Sequence, residues 1–246
     1  MIKEELLEVL SIQSYHFKQD LMVEYLKRKI SEFGCTYELH EGNIYVKKGN
    51  AEKYPCVVAH MDTVHDIESD LSIVEFDGAL TGFNRHTMTQ VGIGGDDKVG
   101  VFICLQALKQ TENIKVVFFR DEEVGCIGSN LADKAFFEDC YYVLEFDRRG
   151  KSDFVIDANG VKLSTKAFQQ AILPFVYKYG YSYALGGGTD VQALRQLGIK
   201  CSMANLSCGY YNPHLDNEFV VIKDVYNTLN LALELIKNIK NSYDFD

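Results

Sequence analysis

Five short polar motifs hold the residues of this chain that could do chemistry: His60-Met61-Asp62, Asp96-Asp97, Asp121-Glu122-Glu123, Asp147 and His214. Imidazole and carboxylate together suit a borderline divalent metal such as zinc, especially where one coordination position stays open to water. The charges fit two ions. Two divalent cations bring about +4, and Asp96, Glu123 and Asp147 with one bridging hydroxide bring about −4, a neutral cluster. Two metals ~3.5–4 Å apart would polarise a carbonyl and generate hydroxide near neutral pH. Of the adjacent Glu122 and Glu123, one can ligate while the other stays free as a general base. In His60-x-Asp62, the carboxylate two residues on can hold the imidazole in the tautomer that ligates metal.

Each motif alone has a plainer alternative. Asp96 or Asp97 could simply cap a helix, with a favourable dipole contact. Asp121 fits an acidic surface loop, Asp147 a turn or an ion pair with Arg148 or Arg149, and His214 a polar loop. The placement of the motifs weighs against coincidence. Pro55 to Ala59, Ile114 to Phe119 and Tyr141 to Phe146 are short apolar runs, as expected of strands buried on both faces. They are followed by His60, by Glu122-Glu123 and by Asp147. In open α/β sheets, sites lie outside the carboxyl ends of the strands.

Other segments complete an α/β pattern. Helical spacing marks 6–10, 21–30, 99–108, 168–177, 191–197 and 225–239, and 201–206 is a further strand. Hairpin signals surround Glu41-Gly42-Asn43 and Asp77-Gly78. Strands alternating with helices predict a sheet covered on both faces.

Composition narrows the class. The chain has 246 residues, 25 Lys+Arg against 35 Asp+Glu, and a formal net charge of −10. Net acidity disfavours nucleic acid and anionic membranes as partners. No apolar run approaches the ~18 residues of a membrane span. The start, Met1-Ile2-Lys3-Glu4-Glu5, lacks the apolar stretch of a signal peptide. Seven cysteines, an odd number with no Cys-x-x-Cys pair, are expected to be reduced thiols of a cytoplasmic protein. Gly92 to Asp97 lacks the third glycine of a dinucleotide fingerprint, and no Gly-Lys-Ser/Thr follows Gly186-Gly187-Gly188.

The chain resembles the co-catalytic two-zinc exopeptidases, especially aminopeptidases of the peptidase T type. The segments that carry the resemblance run in family order. They are His60-Met61-Asp62-Thr63, Gly94-Gly95-Asp96-Asp97-Lys98-Val99-Gly100, Asp121-Glu122-Glu123-Val124-Gly125, Phe146-Asp147, Gly187-Gly188-Thr189-Asp190, and Asn212-Pro213-His214 with Glu218. The resemblance implies that Asp96 bridges two metals, that His60 and Asp147 complete one site, and that Glu123 and His214 complete the other. Glu122 would be the general base that takes a proton from the bridging water, and Asp62 would orient His60. The implied fold is a mixed, largely parallel sheet with helices on both faces.

Many relatives insert a lid or dimerisation domain between the positions of Asp147 and Gly187. Here only about 40 residues separate them, too few for an independent domain. One catalytic domain over residues 1–246 is therefore expected, as a monomer or an oligomer that uses no lid. Arg148-Arg149 also differs from many relatives. The pair could grip a substrate carboxylate, or be a solvated pair offsetting an acidic site. The expected activity is hydrolysis of a peptide bond by an aminopeptidase with two divalent ions, Zn2+ first among them. An N-acyl amino acid amidohydrolase on the same metals, and a binding protein that keeps the fold without catalysis, are the alternatives.

Overall fold

Apolar runs with alternate side chains facing opposite ways form the inner strands of the chain, and two layers of helix cover them. A computed structural model describes residues 2–245; Met1 and Asp246, the ends of the sequence read above, lie outside the described residues. The elements are, in order, α1 (Ile2–Ser11), α2 (Asp20–Glu32), β1 (Tyr37–His40), β2 (Asn43–Lys48), β3 (Tyr54–His60), β4 (Leu71–Phe76), β5 (Ala79–Asn84), β6 (Thr89–Val91), α3 (Gly95–Gln110) and β7 (Ile114–Phe119). Then come α4 (Ile127–Asn130), a 3₁₀ turn (Lys134–Phe137), β8 (Cys140–Arg148), β9 (Asp153–Ala158), β10 (Val161–Lys162), α5 (Lys166–Lys178) and β11 (Ser182–Gly186). The chain continues through α6 (Asp190–Gln196), β12 (Ser202–Ser207), β13 (Tyr210–Tyr211), β14 (Phe219–Val221) and α7 (Ile222–Asn238).

Among the described residues, the main sheet has nine strands in the order β1-β2-β7-β3-β8-β12-β9-β10, with β11 also on β9. Its centre, β7-β3-β8-β12, is parallel, and both flanks add antiparallel pairs. The fold is thus the mixed α/β sheet with helices on both faces that the sequence predicts. Alternation along β3 and β7 divides the core. Val57, Ala59, Val116 and Phe118 pack with α1, α2, α3 and α7, while Cys56, Val58, Val117 and Phe119 pack toward α6 and the 3₁₀ turn. All seven cysteines are free thiols.

A second, five-stranded sheet, β13-β14-β5-β4 with β6 on β5, was not foreseen; only its Asp77-Gly78 hairpin is legible locally. The stretch between Asp147 and Gly187 holds no inserted domain. It supplies β9, β10 and β11, which extend the main sheet, and the helix α5. Strand β8 also runs through Asp147 to Arg148 instead of stopping at Phe146, because β12 continues beside it and pairs Ser207 with Arg148 across a register shift.

Candidate metal centre

The carboxyl ends of β3, β7 and β8 converge, and the start of α3 and the β13–β14 loop close over them. His60, the last residue of β3, is buried, and its Nε2 lies 3.2 Å from Asp96 Oδ1 and 3.8 Å from Asp147 Oδ1. Its Nδ1 lies 3.0 Å from the Asp62 carbonyl oxygen. A carbonyl only accepts, so Nδ1 donates and Nε2 is left to face the carboxylates. The Asp62 carboxylate is 3.4 Å from the same Nδ1, and it has a second task. Its Oδ1 accepts the Glu122 N–H at 2.9 Å and its Oδ2 the Glu123 N–H at 3.2 Å. One buried side chain thus ties the end of β3 to the turn that follows β7.

Asp96 and Asp97 face different ways. The Asp97 Oδ1 accepts the Gly100 N–H at 3.1 Å, the contact of a helix cap with the third residue of its helix, and Oδ2 accepts the His60 N–H at 3.2 Å. Asp96 instead faces the cleft between the histidines. Its Oδ2 lies 3.3 Å from His214 Nε2, which is 3.2 Å from Glu123 Oε2. Glu218, fully buried, holds the turn before α3 by accepting the Gly94 and Asp96 N–H groups. Gly94 takes a left-handed φ of +66° there, and a Cβ on it would come within 2.8 Å of Thr63 Cγ2.

Two sets of donor atoms fall within metal-binding range of one another: His60, Asp96 and Asp147, and Asp96, Glu123 and His214. Glu122 belongs to neither, yet lines the same cleft, a space of about 260 Å³. The buried Glu123 Oε1 has no hydrogen-bond partner, an acceptor left for a cation. Carboxylates and imidazoles in two sets sharing one aspartate fit two divalent ions.

The electrostatics agree. Burial, with Asp147, Asp190 and Glu123 nearby and His60 opposing, pushes Glu122 up to about 9. Burial beside Asp96 raises Asp147 to about 8. Burial would also raise Asp96, but hydrogen bonds from His214 and His60 outweigh it and hold that carboxyl low. Hydrogen bonds to Asp96 and Glu123 lift His214 to about 10. A cation placed among these groups would favour every carboxylate's charged form.

Supporting residues came less easily from the sequence. Asn205 of β12 accepts the Asp147 N–H at 3.0 Å and donates to the Asp147 carbonyl at 2.7 Å and to Thr189 Oγ1 at 2.9 Å. Glu145, buried in β8, accepts from Thr189 Oγ1 and from the Asp190 N–H. Tyr210 is buried and donates its hydroxyl to Asp147 Oδ1 at 3.0 Å, while Tyr211 bonds Asp224 at the edge. The available signal was a polar residue inside an apolar strand, which must find partners. Asp121 is a correction: it is not a surface acid but is buried, accepting from Phe17 N–H and Gln19 Nε2 and pairing with Arg120. Cys208 is a packed core thiol, and Gly186 to Gly188 line the cleft wall.

The chain matches the family model "Peptidase family M28" over residues 43–231. No curated protein sequence matches it. Among solved structures it is similar to the aminopeptidase PepT of Bacillus cereus (TM-score 0.82, 15% identity, 97% of this chain and 98% of that one). It is also similar to a tripeptidase of Staphylococcus aureus (TM-score 0.77, 16% identity, 97% of each chain). A third likeness is to the TET1 peptidase of Pyrococcus horikoshii (TM-score 0.71, 16% identity, 96% of this chain and 99% of that one). At these identities the three share the fold.

Proposed function

The chain belongs to peptidase family M28, a metal-dependent peptidase and so a hydrolase, and on that premise we propose that it is a two-zinc aminopeptidase of short peptides. The observation that carries this reading is the pair of donor sets sharing Asp96, with Glu122 in the same cleft outside both. Asp96 would bridge, His60 and Asp147 would complete one site, and Glu123 and His214 the other. Zinc suits this mixture of imidazole and carboxylate. When bound, two such ions polarise the scissile carbonyl and make water nucleophilic near neutral pH.

The chain's own residues supply the rest. Glu122 takes a proton from the attacking water on its carboxylate and passes it to the leaving nitrogen. Cations held by the two donor sets would favour the ionised form that a base needs. Asp62 fixes the backbone of Glu122 and Glu123 and, with its own carbonyl, the tautomer of His60. Tyr210 and Asn205 hold Asp147 in place.

The names of the structural neighbours, an aminopeptidase and a tripeptidase, favour aminopeptidase over N-acyl amidohydrolase for this chain. No helix among the described residues is long and apolar enough to cross a membrane, and the free thiols accord with a cytoplasmic enzyme. With no lid domain to dimerise through, the protein would be a monomer or use another interface.

The test is Glu122→Gln. It should keep its metal content and lose ~10²–10⁴-fold in kcat on an aminoacyl anilide. Full activity in that variant would remove Glu122 from the mechanism. Equal hydrolysis of the N-acetylated anilide by the wild type would favour the amidohydrolase.

A further inference from the structure

Beside the metal cleft lies a second, larger depression of about 480 Å³, and the two share Arg148, Arg149 and Pro213 in their walls. The two depressions therefore adjoin, the acidic metal cleft on one side of these residues and a basic depression on the other. The basic depression carries Arg148, Arg149 and Lys151 with Asp153. Arg148 is already engaged, its Nη2 3.1 Å from Asp153 Oδ2. Arg149 and Lys151 are exposed and, among the described residues, have no acidic partner. Three cations less one anion leave about two uncompensated positive charges here, in a chain whose formal net charge is −10.

The backbone beneath them is fixed. The Gly150 N–H donates to the Tyr210 carbonyl at 2.8 Å, and the Gly209 N–H donates to the Gly150 carbonyl at 2.8 Å. Ser207 Oγ donates to the Arg149 carbonyl at 2.7 Å and accepts the Asp153 N–H at 3.1 Å. Arg149 therefore stands on a rigid platform two residues beyond Asp147. A peptide whose scissile carbonyl lies between the two donor sets would carry its next residues ~3.5 Å apart. Running out of the metal cleft on this side, its end would pass Arg149, which lines both depressions.

We propose that Arg149, assisted by Lys151, binds the C-terminal carboxylate of a di- or tripeptide, so that the enzyme selects short peptides with a free C-terminus. The proposal rests on the aminopeptidase reading above and names its substrate class. The Arg149 guanidinium can meet a carboxylate with two parallel N–H donors, which an ammonium cannot.

The test compares Ala-Ala-Ala with its C-terminal amide, and with Ala-Asp amide, on zinc-loaded enzyme. The free acid should be preferred by about 5- to 30-fold in kcat/KM, the worth of a charged hydrogen bond at a partly exposed site. That ratio should fall toward one in Arg149→Ala, stay intermediate in Arg149→Lys, and shrink in high salt. Equal cleavage of acid and amide by the wild type, or a preference that survives in the Arg149→Ala/Lys151→Ala double variant, overturns the proposal. Ala-Asp amide cleaved as well as the free acid would overturn the choice of a terminal carboxylate over an acidic side chain.

Calorimetric binding of the same peptides to zinc-loaded Glu122→Gln separates the two readings. Tighter binding of the acid, with no hydrolysis by the wild type, keeps the carboxylate site and removes the aminopeptidase. Hydrolysis without any preference does the reverse.

Discussion

Glu218 holds the backbone of Asp96 from below: its Oε1 accepts the Asp96 N–H at 3.1 Å. The other oxygen accepts the Gly94 N–H at 2.6 Å and lies 2.9 Å from His65 Nε2. The carboxylate shared by both donor sets therefore has its position set by an acid more than a hundred residues away in sequence. Glu218→Gln puts an amide NH₂ where one backbone donor needs an acceptor. With Asp96 as the proposed shared ligand, such a change behind it should cost roughly 10–100-fold in metal affinity or activity. Competition for zinc against a chromogenic chelator should show a loss of that size. Unchanged affinity would mean that the turn keeps its shape without the carboxylate.

The stability of metal-free protein should fall as pH rises from 5 to 9. Glu122 and Asp147 have ordinary values of 4.5 and 3.8 but are raised to about 9 and about 8 in the fold, burial being the largest cause of each. Well below pH 3.8 both the folded and unfolded forms carry these protons. Above pH 4.5 the unfolded chain has released them while the folded one still holds them, so stability declines until the folded values are passed. His214, raised from 6.5 to about 10 by Asp96 and Glu123, acts in the same direction. The lowered Asp62 and Asp96 matter only at pH below their ordinary 3.8, and Lys98, lowered by burial to about 8, opposes the trend only above that pH. Binding zinc at pH 7 must displace protons from this cluster. Thermal melting against pH, with and without zinc, checks the slope. Titration calorimetry in two buffers of different ionisation enthalpy checks the proton release; a heat independent of buffer would contradict it.

The inner strands were legible because a central parallel strand is covered on both faces and leaves an unbroken apolar run, as in Val57-Val58-Ala59 and Val116-Val117-Phe118. The candidate site was legible for a related reason: His60, Glu122 and Asp147 are polar residues at or just beyond the carboxyl ends of such runs, where open α/β sheets place their sites. What stayed hidden depends on distant pairing. Strand β14 has three residues, and nothing near Phe219 indicates that it will pair with Thr81. Strand β9 begins and ends among polar residues, and antiparallel pairing to β12 gives it its place. Asp121 reads as surface in its acidic run. It is buried because the loop after α1 folds across it and donates the Phe17 N–H to its carboxylate. Glu145 is the instructive case, since a charge inside Tyr-Tyr-Val-Leu-Glu-Phe has to be satisfied by something, yet Thr189 and the start of α6 come from elsewhere in the chain.

Gly100→Ala tests the contact that joins the start of α3 to His60. A glycine inside a helix normally gains ~1 kcal/mol of stability when replaced by alanine. Gly100 should reverse that sign. A Cβ there would collide with both Asp97 carboxylate oxygens and lie 2.6 Å from Asp97 Cγ. Asp97 cannot turn away freely, because it is buried and its other oxygen accepts the His60 N–H. Overpacking of this kind costs about 1–3 kcal/mol. In a chain of this size that is a fall in Tm of roughly 2–12 °C at 2–4 °C per kcal/mol. Moving Asp97 also shifts the backbone of His60, so zinc affinity should fall with stability. Thermal denaturation and zinc competition on the same variant measure both effects. A raised Tm with unchanged zinc binding would show that Asp97 can leave its place without disturbing the centre.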